Sequence, residues 1–488
     1  MQIPISADAL PMTDTSTTRR TGGRAARHAK RAVPVSVNPA PAGAAGGAYK
    51  PLSELELQQI FDTALRLLAE LGMGQVPDRL AKDLIAAGGV DLGNKRISLP
   101  IEMVKGTIET SAKEFWLYGR DPSRDIHVGG DRVYFGTGGA AVTTLDLETE
   151  RYRPSTLQDL HDFTRLQDTL DNVAWFTRCC IATDISDMYD LDVNTAYALM
   201  RNTNKPVATA FTVAEHVDPI VKMFDIVAGG KGEFAKCPFV KAHISPVISP
   251  MRFGEDAVDV VYKCIEHNIP MSCITAAQAG ATAPATLAGF LAQSLAETIA
   301  SLVMVNVISP GFPMVFSNWL GLPSGVACSM TDAKAIDAQY GVEKGMTSLA
   351  AALAGGNLIY ESSGMTAALL GASFEAFILD DEMHAMTYRV LRGIEVTEEN
   401  LALHSICRSI LTDGHFLGSV DTFAAMERDY HYPKLADRNQ PRVWAEEGAL
   451  DAWARAKAKV HEVLADYHPC YISPDQDAEI RATFRILE

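Results

Sequence analysis

Cysteine is scarce and scattered in this chain of 488 residues. There are eight cysteines, the one adjacent pair is Cys179-Cys180, and no CxxC motif occurs. A zinc ribbon or a small disulfide framework requires regularly spaced cysteines. The sequence therefore predicts neither of them, and it favours a reducing cytoplasm.

Excess positive charge and long hydrophobic runs are also missing. Lysine and arginine number 43 against 60 acidic residues, and the net charge is −17. This balance disfavours nucleic acid as a partner, because phosphate binding needs clustered cations. No apolar run reaches the roughly 20 residues that a membrane helix needs, so we expect no membrane partner.

The first 48 residues differ in composition from the rest. Residues 19–31 are basic, and no hydrophobic segment follows them as in a secretory signal. Residues 34–48 are rich in proline, glycine and alanine, which is typical of a linker. We predict a disordered basic tail and linker over residues 1–48; an amphipathic anchor or a nucleic-acid arm are the alternatives for the basic part.

A folded region begins at about residue 49. Ser53 and Glu56 have the spacing of a capping box, and apolar residues then recur at helical spacing up to Leu71. Residues 80–130 mix the patterns of short helices and strands. We predict an α/β cap region over residues 49–130.

Eight short apolar runs recur from residue 131 to residue 395, at intervals that are mostly near thirty residues. Strands buried on both faces and separated by helical stretches indicate βα units and a parallel sheet. Eight such units predict a (β/α)8 barrel; a doubly wound open sheet is the rival, but no GxGxxG motif follows a strand. The runs lie at residues 133–135, 173–182, 207–213, 239–245, 269–275, 312–317, 325–329 and 357–362.

One interval is too short for this pattern. Only seven residues separate Ser317 from Gly325, whereas a parallel crossover takes about a dozen or more. We therefore predict that the crossover between strands six and seven is shortened and lacks a full helix. After residue 396 helical spacing resumes, which predicts a C-terminal helical region (396–488) that packs on the barrel or on a second subunit of a homo-oligomer.

Polar side chains follow several predicted strands, where a (β/α)8 barrel carries its working groups. Glu361 comes directly after the apolar run 358–360, so its carboxylate needs a partner such as a cationic ligand or Lys334. A structural ion pair is the alternative. Asp332 and Lys334 follow strand seven, where helix capping is the alternative. Other candidates at strand ends are Arg178, His243, Thr275, Gln278, Asn318 and Tyr360.

Motifs for other chemistries are missing. No HExxH, GxSxG or metal-spaced set of cysteine and histidine occurs. The glycine-rich segment 135–140, FGTGGA, lets the backbone approach a ligand but lacks the GK[ST] ending of a phosphate loop. A plain glycine turn is the alternative.

Five segments together resemble the trimethylamine methyltransferase family, the corrinoid-dependent amine and betaine methyltransferases. The resemblance extends from about Tyr49 to the C-terminus. The segments are LYGRDPSRDIHVGGDRVYFGTGG (117–139), GVACSMTDAKAIDAQYGVEKG (325–345), ALAGGNLIYESSGM (352–365), SFEAFILDDEM (373–383) and GHFLGSVDTF (414–423).

The resemblance implies a (β/α)8 barrel that passes a methyl group from its substrate to the Co(I) of a corrinoid (cobalamin). That corrinoid is carried on a separate partner protein, so no metal is expected to bind this chain directly. In the trimethylamine enzymes a pyrrolysine lies where this sequence has Met330. Methionine has no electrophilic imine and cannot repeat the chemistry of pyrrolysine.

A quaternary ammonium fits Met330 better than trimethylamine does. It has no lone pair for an imine to capture, and its amine already leaves as a neutral molecule. Such a cation favours aromatic faces and a nearby carboxylate. We therefore expect a betaine-like quaternary amine or a methylamine as substrate. The predicted catalytic residues are Met330, Asp332 and Glu361, and the predicted substrate-binding residues are Phe135, Gln339, Glu343 and Tyr360.

The sequence departs from the family in two places. Val342 stands where the family often has a histidine, and family members carry about thirty more residues between the segments that match FSNW and LGLPSGVA, enough for the missing crossover helix. An alternative function is therefore a non-catalytic barrel that binds a betaine or a partner protein. A Schiff-base enzyme that uses Lys334 is a third reading.

Overall fold

The computed structural model describes residues 38, 40–316, 320–412, 414–417 and 420–487. The described chain is of the mixed α/β class, with long helices between short strands. It divides into two compact units, one of residues 1–39 and 404–430 and the other of residues 40–403 and 431–488. The basic segment 19–31 and Asn318 lie outside the described residues.

The region before the parallel strands begins with the predicted capping box. The Glu56 N–H donates to Ser53 Oγ at 3.3 Å, and the Ser53 N–H donates to the Glu56 carboxylate at 2.8 Å. Two antiparallel strand pairs follow, β1 with β2 and β3 with β4. The elements are α1 (Glu54–Arg66, extended by a π-turn to Leu71), α2 (Asp78–Ala86), β1 (Val90–Asp91), β2 (Ile97–Ser98), α3 (Ile101–Thr110), β3 (Glu114–Leu117) and β4 (Ile126–Gly129).

Each of the eight predicted apolar runs contains a strand, although the strands are shorter than the runs. Their core residues are largely buried, as expected for strands covered on both faces. The strands in the runs are β5 (Tyr134–Phe135), β8 (Phe176–Thr177), β9 (Val207–Thr209), β10 (Val240–Ile244), β13 (Met271–Cys273), β14 (Met314–Val315), β15 (Gly325–Ala327) and β16 (Leu358–Tyr360). Six further strands lie outside the runs: β6 (Thr143–Leu145), β7 (Tyr152–Pro154), β11 (Val247–Ile248), β12 (Arg252–Phe253), β17 (Met365–Thr366) and β18 (Gly371–Ser373).

The eight strands from the apolar runs pair only in parallel with one another. Five form a sheet in the order β14-β13-β10-β9-β8, and three form a sheet in the order β15-β16-β5. Single parallel bridges connect Gly136 with Trp175 and Phe316 with Ser324, at the two places where one sheet adjoins the other. The remaining strands form small accessory sheets, β11 with β12 and β17-β18-β6-β7.

Helices connect most of the parallel strands, as βα units require. The exception is the connection from β14 to β15, where the described residues 316 and 320–324 contain no α-helix. This agrees with the predicted short crossover. The helices are α4 (Leu157–Asp168), α5 (Met188–Asn202), α6 (Val217–Ala228), α7 (Glu255–Glu266), α8 (Leu287–Ile308), α9 (Ala338–Leu353) and α10 (Phe374–Arg392).

Helix α8 is a core helix in spite of its apolar composition. By length and mean hydropathy it is the one helix in the described part that could cross a membrane, and 61% of its apolar window is buried inside the protein. It also carries the buried Glu297, whose carboxylate accepts from Ser249 Oγ at 2.6 Å and from the Met251 N–H at 2.9 Å. The sequence analysis identified no apolar run long enough to cross a membrane. Because α8 is largely buried and carries a hydrogen-bonded carboxylate, its apolar composition is explained by packing in the core.

The C-terminal region is helical, as the spacing indicates. Helix α15 packs on α10, and Arg165 of α4 donates to the Leu464 carbonyl of α15 at 2.8 Å. Within the unit of residues 1–39 and 404–430, the described elements are most of α12 and all of α13. The helices are α11 (Glu398–Leu401), α12 (Leu403–Leu411), α13 (Val420–Asp429), α14 (Pro441–Glu446), α15 (Ala452–Asp466) and α16 (Pro474–Thr483).

Candidate functional site

Tyr360 joins the two parallel sheets through its side chain. It belongs to β16, and its hydroxyl lies 2.9 Å from Lys241 Nζ in β10 and forms a hydrogen bond with Ser272 Oγ in β13. A Cβ at Gly325 would stand 2.7 Å from the Tyr360 ring, so the ring crosses over a position that only glycine can occupy. Side chains from both sheets therefore meet in one interior space.

Lys241 is a buried lysine in this space, with no carboxylate partner among the described residues. Its ammonium donates to Ser272 Oγ at 2.8 Å as well as to Tyr360, and it lies 4.8 Å from the centre of the Tyr360 ring and 5.3 Å from that of Trp175. Burial lowers the pKa of Lys241 to about 7. When it is protonated, Lys241 would therefore favour a negatively charged group in this interior.

Glu361 stands at the C-terminal end of β16 and is mostly buried, with 9% of its surface exposed. Its φ of +57° is left-handed, which turns the chain sharply after the strand. Its Oε2 atom has no hydrogen-bond partner among the described residues, and burial raises the pKa of this carboxyl to about 7. Buried polar atoms normally have a hydrogen-bond or ion-pair partner, which makes this oxygen a candidate contact for a cationic or hydrogen-bonding group.

The glycine-rich segment after β5 lies against Glu361. A Cβ at Gly138 would be 3.2 Å from Glu361 Cγ and 3.3 Å from its backbone nitrogen. The segment is therefore more than a plain turn, because its lack of side chains lets the backbone approach the carboxylate closely.

Met330 follows β15, the strand that pairs with β16. The pairing aligns Ala327 with Tyr360, and the Cys328 N–H donates to the Tyr360 carbonyl at 3.3 Å. Ser329, two residues after the strand, has a φ of +64°, and its hydroxyl is hydrogen-bonded to that of Ser348. Met330 itself is half-buried. Met330 and Glu361 thus follow neighbouring strands at the same edge of the sheet.

The other predicted residues after β15 form a network that fixes the loop. Glu343 accepts from Thr331 Oγ1 at 2.6 Å and from the Asp332 N–H at 2.9 Å, and these bonds, with one from Gln339 at 2.8 Å, lower the pKa of Glu343. The side chains of Asp332 and Gln339 are exposed. Contact of Asp332, Gln339 and Glu343 with substrate stays a prediction.

Lys334 does not serve as the partner of Glu361. It is exposed, and its ammonium donates to the Asp332 carbonyl at 2.6 Å. No hydrogen bond or ion pair joins it to Glu361 in the described part of the chain. The sequence analysis did not identify Lys241 of β10 as a residue of this interior, because a lysine within an apolar strand carries no spacing signal.

Phe135 faces away from Tyr360. Its ring stacks on His384 with 4.1 Å between centroids, and its backbone N–H donates to the Tyr388 hydroxyl at 2.9 Å, both residues of α10. The neighbouring Tyr134 points to the opposite side and belongs to the cluster that contains Tyr360. The role of Phe135 in cation binding stays a prediction, and Tyr134 is the aromatic residue of β5 on the interior side.

Polar side chains at the ends of parallel strands define a class of α/β enzymes whose site lies at that edge. In the described part, no three His, Cys, Asp or Glu side chains lie together as a metal site would require. The comparison with known proteins identifies the family. The family model described as trimethylamine methyltransferase (MTTB) matches residues 20–320 and 316–485, so the chain belongs to this family.

Curated relatives align over most of their length. The chain is 26% identical to a glycine betaine methyltransferase of Desulfitobacterium hafniense strain Y51, over 89% of this chain and 96% of the relative. It is 29% identical to a trimethylamine methyltransferase of D. hafniense strain DSM 10664 / DCB-2, over 86% and 90%. It is 27% identical to that of Methanosarcina barkeri, over 88% and 93%. The predictions of this family and of a methyltransferase are confirmed.

The family match also locates the short connection. Its two segments meet at residues 316–320, which is where the chain passes from β14 towards β15. The division of the match and the absence of an α-helix among the described residues therefore fall at the same place in the chain.

Proposed function

We propose that this methyltransferase moves a methyl group from a betaine-like quaternary amine to the Co(I) of a corrinoid carried on a separate protein. The observation that carries the proposal is Glu361, a buried carboxylate whose Oε2 has no partner among the described residues. A permanent cation supplies the missing charge without needing a proton. The names of the relatives, which act on glycine betaine or trimethylamine, support a methylated amine as the donor.

The finer architecture is part of this proposal: the eight parallel strands form one (β/α)8 barrel. The bridges Gly136–Trp175 and Phe316–Ser324 support it, since they would join the two sheets into a single ring. The contacts of Tyr360 with Lys241 and Ser272 across the interior also support it. Such a barrel carries its site at the C-terminal ends of the strands, where Met330 and Glu361 lie.

Glu361 and Tyr360 are the proposed cation-binding pair. A trimethylammonium group beside Glu361 would favour the ionised carboxylate and so lower its pKa from about 7. The Tyr360 ring lies 4.8 Å from the Lys241 ammonium, and the ring of Trp175 packs edge-on against it with 4.7 Å between centroids. In our proposal this pair orients the ammonium with one methyl group directed to the mouth of the barrel.

Met330 lines the same mouth in this proposal. A thioether is flexible and polarizable, and it fills space beside the methyl groups without adding a charge. Asp332 remains a second candidate carboxylate at the rim. Phe135, Gln339 and Glu343 remain predicted binding residues, and the hydrogen bonds of Glu343 support a role in positioning the loop that carries Met330.

The side chains at the strand ends are compatible with a corrinoid that is carried by another protein. Met330 and Glu361 supply one thioether and one carboxylate, which fit an alkylammonium and do not make a set of cobalt ligands. When bound, the corrinoid supplies the Co(I) nucleophile that takes the methyl group. The chain contributes orientation of the N–CH3 bond and exclusion of water, while the amine leaves as a neutral tertiary amine.

The remaining expectations belong to the same proposal. They are a division into residues 1–48, 49–130, 131–395 and 396–488, a cytoplasmic location, a homo-oligomer, and no nucleic-acid or membrane partner. The excess of acidic residues supports the absence of a nucleic-acid partner, and the buried core position of α8 fits a protein outside the membrane.

The test is a turnover assay with purified full-length protein, Co(I) cobalamin and a panel of methylated amines. We expect a quaternary amine to consume Co(I) absorbance and yield its demethylated product, and trimethylamine to be a poor substrate because no electrophile stands at Met330. Glu361→Gln should lower the rate, whereas Glu109→Gln, at an exposed position of helix α3, should not. Robust turnover of trimethylamine, or equal rates for Glu361→Gln and wild type, would contradict the proposal.

The second candidate function is a non-catalytic relative that binds a betaine. The short β14–β15 connection favours it, because a missing helix exposes one side of the barrel. The same assay separates the two candidates when it is paired with calorimetry. Binding of a quaternary amine without any turnover would favour the non-catalytic protein.

A further inference from the structure

The hydrogen bonds of Tyr360 extend across the interior from one parallel sheet to the other. Tyr360 belongs to the sheet of β15, β16 and β5, whereas Lys241 of β10 and Ser272 of β13 belong to the other sheet. Lys241 Nζ lies 2.9 Å from the Tyr360 hydroxyl, and Ser272 Oγ is hydrogen-bonded to the same hydroxyl. In the proposed barrel β16 and β10 are four strands apart, so this side chain reaches from one wall to the opposite wall.

The Tyr360 ring is held along its sides as well as at its hydroxyl. The Trp175 ring packs edge-on against it with 4.7 Å between centroids, and the centroid of the His243 ring lies 5.2 Å away. On the side of β15 the ring lies over Gly325, where a Cβ would be 2.7 Å from it. These contacts and the anchored hydroxyl together fix the position of the ring.

Apolar side chains pack next to the ring on the side where β16 begins. Leu358 precedes Tyr360 by two residues, so both side chains point to the same face of the strand. Both belong to a buried apolar cluster that includes Phe115 of β3 and Val128 of β4. This side of the Tyr360 ring is therefore packed core.

Polar side chains lie on the other side of the ring, where β16 ends. Glu361 follows Tyr360 directly, and its Oε2 has no hydrogen-bond partner among the described residues. His243 follows Lys241 by two residues, so both point to the same face of β10 and His243 lies nearer the C-terminal end. His243 Nδ1 is buried and also lacks a hydrogen-bond partner in the described part of the chain. The Tyr360 ring thus separates apolar core from a polar layer.

We propose that the anchored Tyr360 ring is the floor of the substrate pocket and limits the size of the ammonium group that reaches Glu361. Lys241 and Ser272 are positioning residues in this proposal, because they act by holding the Tyr360 hydroxyl. The inference rests on the proposed function and adds the element that determines its specificity. A ring held in place cannot retreat, so N-methyl groups fit against it and longer N-alkyl groups collide with it.

The charge of Lys241 has to be separated from its anchoring role. Protonated Lys241 disfavours any nearby cation whatever its size, because like charges repel. Its removal therefore raises the affinity for small and large ammonium ions alike, whereas loss of the anchor changes the affinity for one relative to the other. The ratio of the affinities for two ammonium ions of equal charge thus reports the position of the ring.

Calorimetry with tetramethylammonium and tetraethylammonium at pH 8 measures this ratio on the full-length protein without the corrinoid partner. Tyr360→Phe keeps the ring and removes the anchored hydroxyl. Lys241→Met and Ser272→Ala each remove one partner of that hydroxyl. The control is Lys222→Met, at an exposed position of α6. Urea unfolding curves confirm that each variant is folded.

We expect wild type to prefer tetramethylammonium by about tenfold or more, because the longer alkyl groups collide with a fixed ring. Tyr360→Phe and Lys241→Met should reduce this preference to about threefold or less, since the ring can then tilt away. Ser272→Ala should reduce it by a smaller factor, since the bond to Lys241 remains. Tyr360→Phe should bind tetramethylammonium within about twofold of wild type, because the aromatic face is kept. Lys222→Met should change neither affinity.

Two results would overturn the inference: equal affinities of wild type for the two ions, or a preference in the folded anchor variants that stays the same as in wild type. The failure of the proposed function has a different signature, because Glu361→Gln would then bind tetramethylammonium as tightly as wild type does. A wild type that binds neither ion would overturn both, since no cation would then reach the floor.

Discussion

Two buried carboxylates of this protein differ in what the chain provides for them. Asp380 of α10 lies 2.7 Å from Lys344 Nζ, and it accepts from the Tyr340 hydroxyl at 2.6 Å and from the Gly364 N–H at 2.8 Å. Glu361, at the end of β16, has an oxygen with no partner in the described structure. The chain satisfies the first carboxylate completely, and in our proposal the second is satisfied by a ligand.

We infer from this contrast that Asp380 contributes to stability and that Glu361 contributes to function. A fully paired buried charge holds α9, α10 and the segment after β16 together, and its loss exposes an uncompensated charge to a low dielectric. An unpaired buried charge costs stability and is kept where a ligand repays it. The following predictions test this division, from the largest expected effect to the smallest.

The largest effect is expected at the paired site. Lys344→Met should lower the free energy of unfolding by about 3–5 kcal/mol, because it leaves the Asp380 carboxylate buried without a counter-charge. Urea unfolding at pH 7 measures the change. The double variant Lys344→Met with Asp380→Leu should regain part of the loss. A destabilisation below about 1 kcal/mol for the single variant would show that Asp380 is neutral or reaches water.

The opposite sign is expected at Glu361. Its folded pKa of about 7 lies above the ordinary value of 4.5, so the folded state retains a proton that the unfolded chain has lost between these pH values. Stability therefore falls as pH rises from about 4.5 to 7. Glu361→Gln removes this cost and should stabilise the ligand-free protein by up to about 3 kcal/mol at pH 8 and by nothing at pH 4.

Urea unfolding of wild type and Glu361→Gln at both pH values checks this prediction. The exposed variant Glu109→Gln is the control for the loss of one negative charge. A variant that is less stable than wild type at pH 8 would mean that Glu361 has a stabilising partner within the protein.

Cation affinity should depend on pH through the same group. We expect tetramethylammonium to bind about tenfold more tightly at pH 8 than at pH 6, as the Glu361 carboxyl ionises around a pKa of about 7. Lys241, whose pKa is also about 7, loses its positive charge over the same range and reinforces the trend. The pH dependence of the affinity that remains in Glu361→Gln measures the contribution of Lys241. If the variant showed the same pH dependence as wild type, the whole effect would come from Lys241.

The smallest effect is expected for Met330→Leu. The two side chains have similar volumes and no charge, so the variant should keep its turnover of a quaternary amine within a few fold, which corresponds to less than about 1 kcal/mol. Met330→Lys is the informative control, because it places a cation beside a cationic substrate and should abolish turnover. Full activity of the lysine variant would remove Met330 from the site.

The positions of the eight parallel strands could be predicted from the sequence because buried strands and amphipathic helices alternate along it. The short β14–β15 connection followed from a count of seven residues between Ser317 and Gly325. The direction of each side chain could not be predicted. Strands covered on both faces lack the polar alternation that marks an inside and an outside, so Phe135 was expected near the cation although its ring faces α10.

The candidate site was only partly accessible to sequence reasoning. Glu361 was identified because a carboxylate directly after an apolar strand is conspicuous. The network of Thr331, Gln339 and Glu343 depends on how the loop after β15 folds back on α9, which spacing does not reveal.

The measurement that tests the central claim most directly is the calorimetric affinity of glycine betaine for wild type and Glu361→Gln at pH 8. The account predicts that the variant loses about tenfold or more, because the carboxylate that offsets the buried cation is gone. Equal affinities, with both proteins folded, would contradict it and would return Glu361 to a structural role.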